Sequence, residues 1–128
     1  MEMNQSLPGS APAPRVLDLG SALRRLRGDR QLLLDLISFF LEDYPQVSDE
    51  IHRAAEQQNG EDLCLAAHSL KGLAANFDAH EVVEFAGAIE QHAKAGDLAS
   101  AAQLVPALDV ALNRLTADLC NYREAQHK

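Results

Sequence analysis

A histidine, a lysine and a glycine lie close together in the apolar stretch AAHSLKGLAANF, residues 66–77. They are His68, Lys71 and Gly72. An imidazole is a nucleophile near neutral pH when one ring nitrogen keeps its lone pair, and an ammonium group is a common partner of phosphate. A glycine inside a helix costs about 1 kcal/mol relative to alanine, so Gly72 indicates a need for space. This set is consistent with a histidine that carries a phosphoryl group.

A helix over residues 61–77 must position this set. At about 100° per residue, its apolar side chains fall in one arc, which predicts the core-facing side. His68 points away from that arc, and Lys71 and Gly72 lie one turn further along. We therefore expect an exposed histidine beside a low patch, over which the active site of a partner can be placed. The core-facing arc contains Leu63, Ala66, Ala67, Leu70, Leu73, Ala74 and Phe77.

The remainder of the chain also has a helical period. Hydrophobic residues make up 47% of its 128 residues, and strand signals are few. Short connections between amphipathic helices predict an all-α fold, an antiparallel four-helix-bundle core with a short N-terminal helix. The predicted helix starts are an Asp18 cap, an Asp29 cap, Pro45 at a first turn, the region of Glu61, a capping box of Asp78 and Glu81, and an Asp97 cap.

The chain ends set the predicted boundaries of the bundle, and Pro106 lies within its last predicted helix. The apolar period of the last helix continues through Pro106, so we expect a kink there and not two helices. Residues 1–15 are rich in Pro, Ala and Ser and are predicted to be a disordered tail or linker. The bundle is predicted over residues 16–124, with a disordered end at 125–128.

Composition excludes several classes of protein. The net charge of −8 argues against nucleic acid as a partner, because phosphate backbones attract basic faces. No apolar run is long enough to span a bilayer, and the first residues do not resemble a secretory signal. Cys64 and Cys120 lack a C-x-x-C spacing and lie in apolar helical contexts, which favours a reduced, cytoplasmic protein.

The segment A-H-S-L-K-G, Ala67 to Gly72, resembles the A-H-x-L-K-G signature of histidine-containing phosphotransfer (HPt) domains. The resemblance extends to RLRGDRQLLLDLISFF before this segment and to AIEQHAKAGDL after it. It covers about residues 17–120. One position departs from the pattern, because Asp78 stands where the family often has glycine.

The resemblance implies a bundle that carries a phosphoryl group on histidine between receiver-domain aspartates. His68 would be the phosphoacceptor and Lys71 would stabilise the phosphoryl group. Gly72 would permit close approach of the receiver. Side chains around the ring, including Cys64, Leu65 and Ala75, would contribute to docking and specificity.

The expected partners are the receiver domains of a hybrid sensor kinase and of a response regulator. The chain has no G-x-x-x-x-G-K-[ST] loop or other nucleotide-binding signature, so we expect a carrier without kinase activity. The resemblance implies that the receiver supplies Mg²⁺ and the acidic pocket. We expect no cofactor or metal in the chain itself, no membrane insertion, and a monomer.

Two alternatives remain at this stage. His52 with Glu56, and His80 with Glu84, have the i, i+4 spacing of a helical metal site, although such pairs are more typical of solvated faces. The other alternative is a structural helical adaptor, in which His68 is an ordinary surface histidine. Replacement of His68 distinguishes a carrier from an adaptor, and metal analysis tests the first alternative.

Overall fold

The computed structural model describes residues 19–126, which form five α-helices and no β-strand. We number the helices in chain order. They are α1 (Leu19–Arg25), α2 (Arg30–Glu56), α3 (Gly60–Ala75), α4 (His80–Lys94) and α5 (Leu98–Gln126). The all-α fold predicted from the sequence is confirmed.

The four longer helices form a closed bundle. Each packs on the next along the chain, and α2 also contacts α5, while α1 packs on α2. The core consists mainly of Leu, Ile, Val and Ala at helical spacing, with two buried phenylalanines. Phe40 of α2 meets Phe77, which follows α3, edge to face at 5.6 Å between ring centroids. The predicted four-helix core with a short leading helix is therefore present.

Side-chain caps define three of the helix starts. Asp29 accepts a hydrogen bond from the Leu32 amide at 3.0 Å at the start of α2. Asp97 accepts one from the Ser100 amide at 3.1 Å before α5. Both caps were predicted, because a short side-chain acceptor satisfies an amide that has no intrahelical partner. Asn59 caps α3 in the same way, through the Asp62 amide at 3.1 Å.

The predicted helix start at Pro45 is wrong, because α2 runs without interruption from Arg30 to Glu56. Pro45 lies on the exposed side of the helix. The proline removes one intrahelical hydrogen bond, but its ring does not disturb the packed face of the helix. The apolar stripe of α2 keeps its period across Pro45, and it holds the helix together by burial at Ile37, Phe40, Ile51 and Ala54.

The predicted capping box at Asp78 and Glu81 is also wrong. The N-cap of α4 is Ala79, without a side-chain cap, and Asp78 has a left-handed backbone with φ of 50°. Asp78 instead forms an ion pair with Arg25 of α1 at 2.9 Å. Asp tolerates the left-handed region better than most residues, which accounts for an Asp where the HPt pattern often has glycine.

The structure describes the C-terminal helix almost to the end of the chain, but it does not describe residues 1–18. Helix α5 passes through Pro106 as one helix, as predicted, and it continues to Gln126, two residues past the predicted end of the bundle. A kink at Pro106 stays a prediction. The predicted tail at residues 1–15, the Asp18 cap and residues 127–128 lie outside the described residues. No helix within residues 19–126 is both long and apolar enough to cross a membrane.

Candidate functional site

Helix α3 presents His68 on its outer face. Its inner face packs into the core through Leu63, Ala66, Ala67, Leu70 and Ala74, all buried. The His68 side chain is 66% exposed, so the orientation predicted from helical periodicity is confirmed. Leu73, placed in the core arc by the same argument, is only partly buried.

A buried carboxylate of the neighbouring helix holds one side of the His68 ring. Glu90 of α4 is 6% exposed, and its Oε2 lies 2.9 Å from Nδ1 of His68. Its Oε1 lies 2.7 Å from Nζ of Lys71. One carboxylate thus bridges the histidine and the lysine, and it ties α3 to α4 at this level of the bundle.

The charge state of Glu90 decides which nitrogen of His68 bears the proton. The ammonium of Lys71 is the largest cause that lowers the pKa of Glu90, and the hydrogen bond with His68 lowers it further, against the opposing effect of burial. An ionised carboxylate only accepts hydrogen bonds, so Nδ1 must donate. In the neutral ring the lone pair is then on Nε2, the nitrogen that a partner can reach.

Lys71 reaches Glu90 along the surface of α4. Its side chain is 33% exposed, and a Cβ placed on Gly87 would lie 3.5 Å from its Cδ. The aliphatic part of Lys71 therefore lies over Gly87, while its charge is shared between Glu90 and solvent. The lysine is adjacent to the ring, as predicted, but it is already paired with an acid that the sequence analysis did not assign to the site.

The residues predicted to dock a partner surround the ring on the outer face of α3. A Cβ added at Gly72 would meet nothing within 4 Å, so no packing inside the chain requires glycine there. Leu65 is 62% exposed, whereas Cys64 and Ala75 are only partly accessible. An open depression between α2 and α3 lies beside them. Its lining consists of Asp43, Gln46, Val47, Glu50, His68, Ser69, Gly72 and Leu73.

Comparison with known families distinguishes between the functions considered for this surface. The sequence model of the Hpt domain matches residues 35–118, which include α3, α4 and most of α2 and α5. The chain belongs to the Hpt domain family. The match spans His68, Lys71 and Glu90, and it supports histidine phosphotransfer in phosphorelays as the role of this bundle.

A solved structure has the same fold as this Hpt domain. It is histidine-containing phosphotransfer protein B (HptB) from Pseudomonas aeruginosa PAO1, with a TM-score of 0.80 and 21% sequence identity. The alignment covers 89% of the present chain and 98% of that protein. No curated protein matches the sequence.

Glu90 is the residue of this Hpt domain that sequence reasoning missed. It appears in AIEQHAKAGDL, but no role was given to it. A signal was available, because Glu90 lies one turn after Ala86 and three residues before Ala93, within the apolar stripe of α4. A carboxylate in such a stripe needs a cationic or donor partner, since an unpaired buried charge is very costly.

Two other histidines of the Hpt domain form simpler contacts. His52 pairs with Asp109 of α5, not with Glu56, at 2.9 Å from Nε2 to Oδ2. His92 lies 3.9 Å from Asp97. Within the described range 19–126, no group of three His, Cys, Asp or Glu side chains is arranged to hold a metal ion.

Proposed function

We propose that the chain is a phosphocarrier that accepts a phosphoryl group on His68 from a receiver-domain aspartate and passes it to another receiver domain. The donor would be the receiver of a hybrid sensor kinase, and the acceptor the receiver of a response regulator. The observation that carries this proposal is the exposed His68 ring with Nδ1 bound to buried Glu90. That contact leaves Nε2 as the nucleophile.

The proposed reaction needs little chemistry from the carrier. Nε2 of His68 attacks phosphorus as the bond to the aspartyl oxygen breaks, in line and through a loose transition state. Positioning and neutralisation of charge provide most of the catalysis in such a step. The receiver would supply Mg²⁺ and its acidic pocket, so the carrier has no cofactor and no kinase activity of its own.

Lys71 would neutralise part of the charge on the phosphoryl group. Its ammonium is held next to the ring by Glu90, and its side chain is still one-third exposed, at 33%. A phosphoryl group on Nε2 would compete with Glu90 for this ammonium, because both are anionic acceptors. Lys71 is therefore proposed to stabilise the phosphorylated state.

The outer face of α3 would be the docking surface. Gly72 leaves the ring above a low patch, and Leu65 offers exposed apolar area one turn before the ring. Cys64 and Ala75 would lie at the edge of the contact. We further propose that the protein acts in the cytoplasm as a monomer, with protein partners and no nucleic acid.

A transfer assay tests the proposal. A receiver domain labelled with radioactive phosphate is incubated with the wild-type protein and with His68→Gln, for a panel of receivers. The expected result is label on the wild type alone, lost in acid and stable in base. A folded wild-type protein that takes label from no receiver of the panel would favour the structural adaptor instead.

A further inference from the structure

The charge of the His68 ring changes when the proposed transfer takes place. Nε2 forms a bond to phosphorus, and the electron pair of the broken P–O bond goes to the aspartyl oxygen of the receiver. Nδ1 already bears a proton, so the phosphorylated ring is a cation. In the return step the N–P bond breaks and its electron pair goes back to Nε2, which yields a neutral imidazole.

The proton on Nδ1 decides how easily the return step occurs. With that proton, the group that leaves phosphorus is a neutral imidazole. Without it, the group that leaves is an imidazolate anion, which is a far poorer leaving group. A free imidazole loses its charge with a pKa of about 6.5, so an isolated phosphorylated ring would lose this proton within the physiological range.

Glu90 is the buried anion in contact with this proton. Its Oε2 lies 2.9 Å from Nδ1, and its side chain is only 6% exposed, so water and salt screen its charge less than that of an exposed acid. The other charged groups on this side are more accessible. The nearest is Lys71, which is 33% exposed and pairs with the second oxygen of Glu90, Oε1, at 2.7 Å. Asp43 and Glu50 of α2 line the open depression beside the ring, and Lys94 lies one turn after Glu90 on α4. Solvent attenuates the effect of Asp43, Glu50 and Lys94.

We propose that Glu90 keeps the proton on Nδ1 of His68 through both transfer steps, so that the phosphoryl group leaves from a neutral imidazole and transfer is readily reversible. This inference rests on the proposed function. The same proton remains in the His68–Glu90 hydrogen bond before, during and after the exchange, and no proton passes to solvent. Glu90 is thus a positioning residue whose charge, and not only its shape, matters.

Replacement of Glu90 by Gln separates charge from shape. The amide oxygen of Gln can accept the same hydrogen bond from Nδ1, but it carries no negative charge. The ring geometry is then retained while the phosphorylated cation loses its counter-charge. Glu84→Gln is a matched control, because Glu84 is an exposed acid on the same helix.

The experiment uses phosphoramidate, a chemical phosphoryl donor that needs no receiver. Wild type, Glu90→Gln and Glu84→Gln are phosphorylated, and loss of the phosphoryl group is followed by ³¹P NMR from pH 5 to pH 10. Loss of the counter-charge should lower the midpoint of the pH profile by about one unit or more and lengthen the lifetime at pH 8 about tenfold. Glu84→Gln should follow the wild type. Superimposable profiles for Glu90→Gln and wild type would overturn the inference.

A second readout needs only the wild-type protein. In ¹⁵N NMR of the phosphorylated form at pH 8, Nδ1 of His68 should be protonated. A deprotonated Nδ1 at that pH would contradict the inference even if Glu90→Gln failed to fold. Failure of the proposed function would look different, because the chemically phosphorylated protein would then give the expected profile while no receiver exchanged phosphate with it.

Discussion

Two histidine–carboxylate pairs join helices in this bundle, and they have almost the same length. His68 and Glu90 are 2.9 Å apart between α3 and α4, and His52 and Asp109 are 2.9 Å apart between α2 and α5. Their surroundings differ. Glu90 is 6% exposed and also binds Lys71, whereas Asp109 is 37% exposed. Distance alone therefore does not distinguish the candidate site from an ordinary surface contact.

The difference lies in the acid. Water and salt screen the charge of a buried carboxylate less than that of an exposed one, and the nearby ammonium of Lys71 keeps Glu90 ionised. In the exposed pair, water and salt attenuate the same interaction, and such pairs contribute little to stability. Only the His68 pair combines an accessible ring with an acid whose charge and position are fixed.

Removing the histidine of each pair should give the largest contrast. His68→Gln should lose receiver-dependent transfer by about a thousandfold or more, because the nucleophile is gone. His52→Gln should transfer at the wild-type rate, since its ring lies at the α2–α5 contact. The initial rate of label transfer from a phosphorylated receiver measures both. Equal losses in the two variants would remove the distinction between the pairs.

Adding a large side chain beside each pair tests whether a partner must reach the histidine ring of that pair. Gly72→Gln places a long side chain next to His68, and a misplacement of about 1 Å at the reacting atoms can slow transfer about a hundredfold. The same change should stabilise the fold by about 0.5–1 kcal/mol, since Gln is the better helix former and a Cβ there meets open space. Stopped-flow transfer rates and urea unfolding measure the two effects.

The control for added bulk lies near the second pair. Ala102 is exposed on α5, two turns before Asp109. Ala102→Gln should leave the transfer rate unchanged. A Gly72→Gln protein that transfers as fast as the wild type would contradict the steric role assigned to Gly72.

Removing one charge at each of the two sites should distinguish the sites by the change in the free energy of unfolding and by the dependence of that change on pH. Lys71→Met keeps the aliphatic stem but removes the ammonium that chiefly lowers the pKa of Glu90. We expect a loss of about 1–2 kcal/mol at pH 7, less than for a fully buried pair because Lys71 is 33% exposed. Asp109→Asn should change the free energy of unfolding by no more than about 0.5 kcal/mol.

The pH dependence of this loss has a definite sign. The pKa of Glu90 in the folded protein lies below its ordinary value of 4.5, so its stabilising effect is fully present above that pH. It disappears as the pH falls through the lowered pKa. The difference in unfolding free energy between wild type and Lys71→Met should therefore narrow between pH 5 and more acidic conditions. A difference that stays constant over this interval would contradict the assignment of Lys71 as the main partner of Glu90.

Much of the architecture was predictable because it depends on local pattern. The helical period indicated the all-α bundle, and the Asp29 and Asp97 caps followed from residue type and position. Pro45 was misjudged because the first-turn preference of proline was given more weight than the apolar stripe that continues across it. The Asp78 cap failed because Asp78 pairs with Arg25 of α1, a residue distant in the sequence, and does not cap α4.

The candidate site was predictable only in part, for a related reason. His68, Lys71 and Gly72 belong to one helix, so periodicity places them on its exposed side. Glu90 is 22 residues away from His68, and their contact depends on the register between α3 and α4. A hydrophobic period specifies which faces meet, but not which residues stand at the same height. A single acid within the apolar stripe of α4 was the one local signal.

The most direct measurement identifies the nitrogen that carries phosphate after transfer from a receiver. The ¹⁵N-labelled protein is phosphorylated by a phosphorylated receiver domain and studied by ³¹P and ¹⁵N correlation NMR. Our account predicts one phosphoryl group, bonded to Nε2 of His68, with Nδ1 still bearing its proton. A phosphoryl group on Nδ1, on another histidine or on a carboxylate would contradict it.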